Sequence, residues 1–189
     1  MHQPVFQYKD ISFSQLINDI KWVIESPSIF EIAPENYPWE TFVIPELFEE
    51  MMKNTINSPE VVLDYFNSEE QFILGKYFEK LLGFIFDYSK KLEIVVKGLQ
   101  IFNDSRTIGE IDFLLNDKQN KKIIQLEVAV KYYLGTDSDA AWSKWIGPNG
   151  ADNLERKIDK FAVQLTMAGF VNSEILTKDT LVSPKILLK

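Results

Sequence analysis

The chain has 189 residues, no cysteine and one histidine, with 46% hydrophobic and 25% charged residues. This length allows one domain with a sizeable core, or one domain plus a small appendage. The lack of cysteine excludes disulfides and thiolate metal sites, and the lone His2, near the N-terminus, argues against histidine-based catalysis. The sequence has neither a signal-peptide pattern nor an apolar run of the ~20 residues that span a membrane. We therefore expect a cytoplasmic protein without membrane attachment.

The formal net charge of −8 argues against a general nucleic-acid binder. The charge is unevenly distributed, however. Residues 1–75 contain three Lys and 13 Asp or Glu, a net charge of −10, whereas residues 76–189 contain 17 Lys or Arg and 15 Asp or Glu, a net charge of +2. The acidic character belongs to the first part of the chain, and the second part is compatible with a local basic groove.

The first part, residues 1–68, is predicted to be a helical and irregular acidic segment that packs on a core. Apolar residues at helical spacing over 16–24 predict a helix, which ends at the Ser26-Pro27 step. Four prolines within 27–50 indicate an irregular, partly extended stretch. Ser58-Pro59 predicts the start of another helix, because proline is favoured at the first helical position.

The second part, residues 69–189, is predicted to form an α/β core, more narrowly α+β. A capping-box pattern at Ser68 predicts a helix that runs to about residue 89. Three strands over 92–102, 109–116 and 122–134 follow with short turns, which indicates an antiparallel meander. Asp152 is a suitable N-cap for a second helix, and an apolar stretch at 185–189 predicts a last strand. The chain ends inside that stretch, as expected of a chain cut short or of a larger native protein.

Two carboxylates in the predicted meander point to metal chemistry. Asp112 and Glu127 each lie in the middle of a predicted strand, and a short hairpin joins the two strands. Because side chains alternate between the faces of a strand, the hairpin brings both carboxylates to one face. Paired carboxylates suit Mg²⁺, a hard ion that keeps several waters. Such alternation is equally typical of the solvated face of an antiparallel sheet.

Lys131 and Glu79 are candidates for the same site. Lys131 lies on the predicted face of Glu127, where an ammonium would offset charge on a phosphate during hydrolysis. We therefore expect loss of Lys131 to cut turnover sharply, with Lys144 and Lys157 as competitors for this role. Glu79 lies on the first core helix with Gly75 and Gly83 at helical spacing, which would let the sheet approach. A single helical glutamate is also common on a solvated face.

The order of these motifs resembles the PD-(D/E)XK superfamily, which consists mostly of metal-dependent nucleases with an αβββαβ core. More narrowly, the chain is similar to the bacterial family called domain of unknown function 1853. The stretches that carry this resemblance are residues 22–27, 74–79, 109–114, 126–134 and 147–149, followed by Leu154 and Lys157.

The resemblance implies roles for individual residues. Asp112 and Glu127 match the metal ligands of the superfamily, Glu79 matches a helical acidic residue, and Gln164 is similar to a helical glutamine of some exonuclease-like branches. The superfamily usually has lysine two residues after the second acid, where this chain has Ala129. Lys131 would then reach back along the strand, as its flexible stem allows.

Two hypotheses follow from the sequence. The first is a nuclease that uses Mg²⁺ or Mn²⁺ to hydrolyse phosphodiester bonds in DNA or RNA, with Glu79, Asp112, Glu127, Lys131 and Gln164 as its site. The alternative is a catalytically inactive nuclease-like module that binds nucleic acid or a protein partner. The acidic N-terminal segment favours a protein contact or occlusion of the groove.

Overall fold

The structure, a computed structural model, describes residues 11–28, 45–68, 73–135, 141–171, 175–176 and 182–188. Within these ranges the chain is α+β with a mixed sheet. The helices are α1 (Phe13–Glu25), α2 (Pro45–Asn57), α3 (Pro59–Asn67), α4 (Leu74–Asp87) and α5 (Leu154–Gln164), with 3₁₀ turns at Trp142–Lys144 and Met167–Phe170. The strands are β1 (Leu92–Asn103), β2 (Arg106–Asp117), β3 (Lys122–Ala129), β4 (Leu134–Gly135), β5 (Trp145–Ile146) and β6 (Val182–Leu188).

Four strands form the main sheet in the order β1-β2-β3-β6. β1, β2 and β3 pair antiparallel, as the short turns between them predict, and β6 pairs parallel to β3. A parallel partner needs a crossover connection, which here contains α5. The predicted order of helix, three strands, helix and strand is therefore observed from α4 to β6.

The sheet is covered on both faces. On one face α1, α3 and α4 share a hydrophobic cluster with Phe113 and Leu126 of the sheet. On the other face Phe161 of α5 packs with the ends of β3 and β6, and Met167 packs with β1 and β2. The N-terminal helices thus pack on the sheet, and the division of the chain at residue 68 stays a prediction.

Strand β3 is shorter than predicted. It ends at Ala129, where its parallel pairing with Leu188 of β6 also ends, and the chain then continues without strand structure to the two-residue β4. The prediction of one strand over 122–134 is wrong in its second half. The run of apolar residues past Ala129 has the composition of a strand but finds no neighbouring strand to pair with in the described part of the sheet.

Some predicted boundaries move by a few residues or lie outside the described ranges. Ser68 follows the end of α3, and α4 begins at Leu74; residues 69–72 of the predicted capping box are outside the description. Asn153, not Asp152, caps α5, since its side chain accepts a hydrogen bond of 2.9 Å from the backbone N–H of Arg156. His2, most of the proline-rich stretch and Lys189 are likewise outside the described residues.

The β1–β2 ladder keeps one register across Asp112, but the backbone of β1 is unusual opposite this residue. Gly98 of β1 has φ of +63° and lies between the register pairs Lys97–Phe113 and Leu99–Ile111. Strict alternation would place Ile111 and Phe113 on one face, yet the two pack in different hydrophobic clusters. The predicted alternation of β2 therefore breaks between Ile111 and Phe113, opposite the positive φ of Gly98.

Candidate metal centre

The Asp112 carboxylate lies against the backbone of β3. Regular pairing of β2 with β3 runs from Asp117–Lys122 to Phe113–Leu126 and stops there. One residue further, Oδ2 of Asp112 accepts a hydrogen bond of 2.8 Å from the backbone N–H of Val128. This bond fixes the Asp112 carboxylate beside Glu127, the residue that precedes Val128 in the chain.

Glu127 is fully buried, and only half of its carboxylate is satisfied. Its Oε1 accepts a hydrogen bond of 2.9 Å from Nε2 of Gln125. Its Oε2 is buried without a hydrogen-bond partner among the described residues. A buried carboxylate oxygen without a partner is costly, so the position favours a ligand that supplies positive charge.

The two carboxyl groups perturb each other. Burial raises the pKa of Asp112 to about 6, although the Val128 N–H opposes the shift, and the charge of Glu79 adds to it. Burial and the charge of Asp112 raise the pKa of Glu127 to about 7. Both anionic forms are thus destabilised in the folded protein. A hard divalent cation, which binds through one or two carboxylates and keeps its waters, fits this pair.

Lys157 of α5 supplies a cation to this pair. Burial and the charge of Lys160 lower its pKa to about 8, while the charges of Asp112 and Glu127 act in the opposite direction. The same lysine lowers the pKa values of both carboxyl groups. Its Nζ lies 3.8 Å from the centre of the Phe161 ring, a cation–π contact that holds the ammonium.

Lys131 lies apart from the predicted position. It follows the end of β3, its side chain is 42% exposed, and its Nζ lies 3.8 Å from Oδ2 of Asp152. The argument that Lys131 shares a strand face with Glu127 is therefore wrong, because residue 131 is not in a strand. Lys157, considered from the sequence only as a competitor, acts electrostatically on both carboxyl groups, and the role predicted for Lys131 stays a prediction.

Glu79 lies near Asp112 but is engaged elsewhere. Its Oε2 is 2.8 Å from Nζ of Lys76, which is also 3.4 Å from Oε1 of Glu110. The charges of Glu79 and Glu110 both raise the pKa of Asp112, which places them within its electrostatic range. Among the described residues no group of three or more His, Asp or Glu side chains could hold a metal ion. The three-carboxylate set Glu79, Asp112 and Glu127 stays a prediction.

A known protein family matches the part of the chain that contains Asp112, Glu127 and α5. The family described as "Domain of unknown function (DUF1853)" matches residues 18–188, which is most of the chain and includes both carboxylates and α5. The chain belongs to the DUF1853 family. No curated protein and no solved structure matches it.

In this DUF1853 protein Gln164 connects the site to the sheet. Nε2 of Gln164 donates to the backbone carbonyl of Glu110 at 3.4 Å, and its own backbone carbonyl accepts a bond of 2.8 Å from Nε2 of Gln125. Oε1 of Gln125 accepts from the N–H of Ala168 at 3.2 Å. Gln125 thus ties Glu127 to the end of α5, and Oε1 of Gln164 is buried without a partner in the described chain.

Sequence reasoning assigned no role to Gln125 or Glu110 of the DUF1853 chain. Only the fold shows that Gln125 donates to Glu127 and that Lys76 donates to Glu110. The one available signal was the position of Gln125 two residues before Glu127 on the same side of β3.

Within the described residues, none of the helices has the length and apolar character needed to cross a membrane.

Proposed function

We propose that the protein is a metal-dependent nuclease that hydrolyses phosphodiester bonds in DNA or RNA, built on a PD-(D/E)XK-like αβββαβ core. The observation that carries the proposal is the buried pair of Asp112 and Glu127, with an unpartnered oxygen on Glu127 and the ammonium of Lys157 in range. A half-buried Asp112 beside a fully buried Glu127 is not the solvated sheet face that alternation alone would suggest. The resemblance in motif order supports the same assignment.

Asp112 and Glu127 are the residues that would hold Mg²⁺ or Mn²⁺. When bound, such an ion polarises a phosphodiester and lowers the pKa of a coordinated water. The protein prepares this site by fixing both ligands: Val128 holds the Asp112 carboxylate, and Gln125 holds one oxygen of Glu127. Oε2 of Glu127, which has no hydrogen-bond partner among the described residues, is the atom that a bound cation would satisfy.

Lys157 takes the role for which Lys131 was predicted. Its ammonium is partly buried, where charge interactions are stronger than in water. It therefore offsets negative charge on a phosphate that approaches the two carboxylates. The position of Ala129, where the superfamily usually has lysine, is compatible with activity if α5 supplies the cation.

The alternative proposal is an inactive nuclease-like module that binds nucleic acid or a protein partner. Ala129 at the usual lysine position favours it, as does the acidic N-terminal part of the chain. The two proposals differ in metal chemistry, because an inactive module has no need for an ion at Asp112 and Glu127.

The test is calorimetric titration with Mn²⁺ followed by cleavage assays on labelled single-stranded DNA, duplex DNA and RNA. Asp112→Asn and Glu127→Gln should each abolish both the binding heat and the cleavage. Glu50→Gln is the matched control, since this carboxylate is 51% exposed and pairs with Lys90. Absence of Mn²⁺ binding and of cleavage by the parent protein would transfer the assignment to the inactive module.

A further inference from the structure

A pocket of about 580 Å³ lies beside the carboxylate pair, between α3, α4 and the β1–β2 hairpin. Among the residues that the structure describes, its charged lining consists of Lys76, Lys80, Lys97, Glu79 and Glu110, and the Tyr65 ring forms part of its wall. Three lysines against two glutamates give this lining a net charge of +1. The pocket is thus locally basic in a protein whose net charge is −8.

The three lysines are held in different ways. Lys76 faces both glutamates, at 2.8 Å from Glu79 and 3.4 Å from Glu110. Lys80 is only 7% exposed, and its Nζ donates to Oγ of Ser68 at 3.3 Å. The same ammonium lies 4.9 Å from the centre of the Tyr65 ring. A buried, positioned ammonium interacts with an anion more strongly than a solvated one does.

Lys97 reaches the pocket because α4 has a glycine opposite it. A Cβ at Gly83 would lie 3.2 Å from Nζ of Lys97, so a larger residue there would press on the ammonium. The Lys97 Nζ also lies 5.7 Å from the centre of the Phe113 ring. Gly83, noted in the sequence as a small neighbour of Glu79, therefore makes room for a side chain of β1.

The pocket lies near Asp112 of the candidate metal centre, because its lining includes Gly98, which is opposite Asp112 in the β1–β2 ladder. Glu79 and Glu110 line it, and both act electrostatically on Asp112. Tyr65 is 43% exposed, and an aromatic ring with an exposed surface can stack on an unpaired base. A basic pocket next to an aromatic ring is the combination that single-stranded nucleic acids bind.

We propose that this pocket, through Lys97 and Lys80, binds a backbone phosphate of a single-stranded nucleic acid whose neighbouring phosphate lies at Asp112 and Glu127. The inference rests on the proposed nuclease function, since it names a binding subsite for that substrate. It assigns Lys97 and Lys80 to strand binding and leaves the chemistry to the carboxylates and Lys157.

The test measures binding of a fluorescein-labelled oligothymidylate by fluorescence anisotropy in EDTA, so that no cleavage occurs. Lys97→Met should weaken binding about tenfold, as loss of one charged contact does. It should also reduce the slope of log affinity against log salt by about 0.7, the value for one phosphate contact on a single strand. Lys97→Arg should restore most of the affinity. Lys90→Met is the control, because that lysine is 82% exposed and pairs with Glu50.

Lys80→Met tests a second position, and a thermal melt verifies that this variant folds. If it does not fold, Lys97→Met still tests the subsite, because Lys97 is exposed. Unchanged affinity and salt slope in Lys97→Met would overturn the subsite, and so would an equal loss in Lys90→Met. Competition by inorganic phosphate alone at low concentration would overturn its assignment to a strand.

The outcome is separable from that of the nuclease proposal. If Asp112→Asn abolishes cleavage while both lysine variants bind like the parent, the nuclease stands and the subsite falls. If the lysine variants lose binding while the parent cleaves nothing with Mn²⁺, the subsite stands and the nuclease falls.

Discussion

Replacing Glu127 with glutamine should change how the stability of the metal-free protein depends on pH. The pKa of Glu127 is raised from 4.5 to about 7 by burial and by the charge of Asp112. A carboxyl group whose folded-state pKa is raised favours the folded state below its unfolded pKa. That contribution is lost as the pH rises through the folded pKa. The parent should therefore lose stability relative to Glu127→Gln between about pH 4.5 and 7.

The size of this effect follows from the pKa difference. A pKa of about 7 instead of 4.5 corresponds to ~3 kcal/mol, an order-of-magnitude value for a fully buried group. The substitution also places an amide N–H₂ where Oε2 has no hydrogen-bond partner within the described chain, at a cost of ~1–3 kcal/mol. That cost does not vary with pH, so the difference between two pH values isolates the carboxylate.

The assay is urea denaturation of parent and Glu127→Gln in EDTA across roughly pH 5 to 8. The stability difference should move by up to ~3 kcal/mol in favour of the variant as the pH rises. Glu50→Gln, on an exposed side chain, should show no such trend. Saturating Mn²⁺ at the higher pH should stabilise the parent by ~2.7 kcal/mol at 100 times its Kd and leave Glu127→Gln unchanged. Parallel pH profiles for parent and Glu127→Gln would refute the reasoning.

Three further substitutions, at Lys157, Asn153 and Gly98, test the site and its scaffold, and each is compared with a second variant. Lys157→Met should lower Mn²⁺-dependent nuclease turnover by about 10²–10³, whereas Lys131→Met should change it little; a larger loss at Lys131 in the cleavage assay would reverse this assignment. Asn153→Ala removes the N-cap of α5 and should cost ~1 kcal/mol in urea denaturation, with Asn153→Ser close to the parent. Gly98→Ala should lower the free energy of unfolding by about 1–2 kcal/mol in the same assay, because φ at Gly98 is +63°. Gly75→Ala, in a helix with open space around the new methyl group, should leave the stability unchanged or raise it.

The order of the core elements could be predicted from local patterns, because each element carries its own periodicity and its own start or stop residues. The α4-β1-β2-β3 succession and the later α5 and β6 follow from hydrophobic spacing, polar turns and an N-cap within one residue of the observed one. The family assignment rested on the same stretches, and the match to DUF1853 over residues 18–188 confirms it.

The end of β3 and the broken alternation around Asp112 could not be predicted in this way. A strand ends where its neighbour ends, and Leu188 of β6, the partner of Ala129, is far away in the chain. The broken alternation lies opposite the positive φ of Gly98 in the adjacent strand, and the pattern along β2 alone does not reveal that φ. Strand alternation likewise points to Lys131, whereas the action of Lys157 on both carboxyl groups depends on how α5 packs across the sheet.

The parallel pairing of β3 with β6 affects the route by which the protein folds. Asp112 and Glu127 come together in a local hairpin, whereas Glu127 becomes buried only when α5 and β6 have packed against β3. The parallel ladder of β3 and β6 pairs Ile123 with Val182, which is far away in the chain. Such non-local pairing forms slowly, because a long loop has to close first. Until then both carboxylates are in water and ionise at ordinary pH. We therefore expect the hairpin that brings Asp112 and Glu127 together to form without this electrostatic penalty, which arises only when β6 has paired with β3.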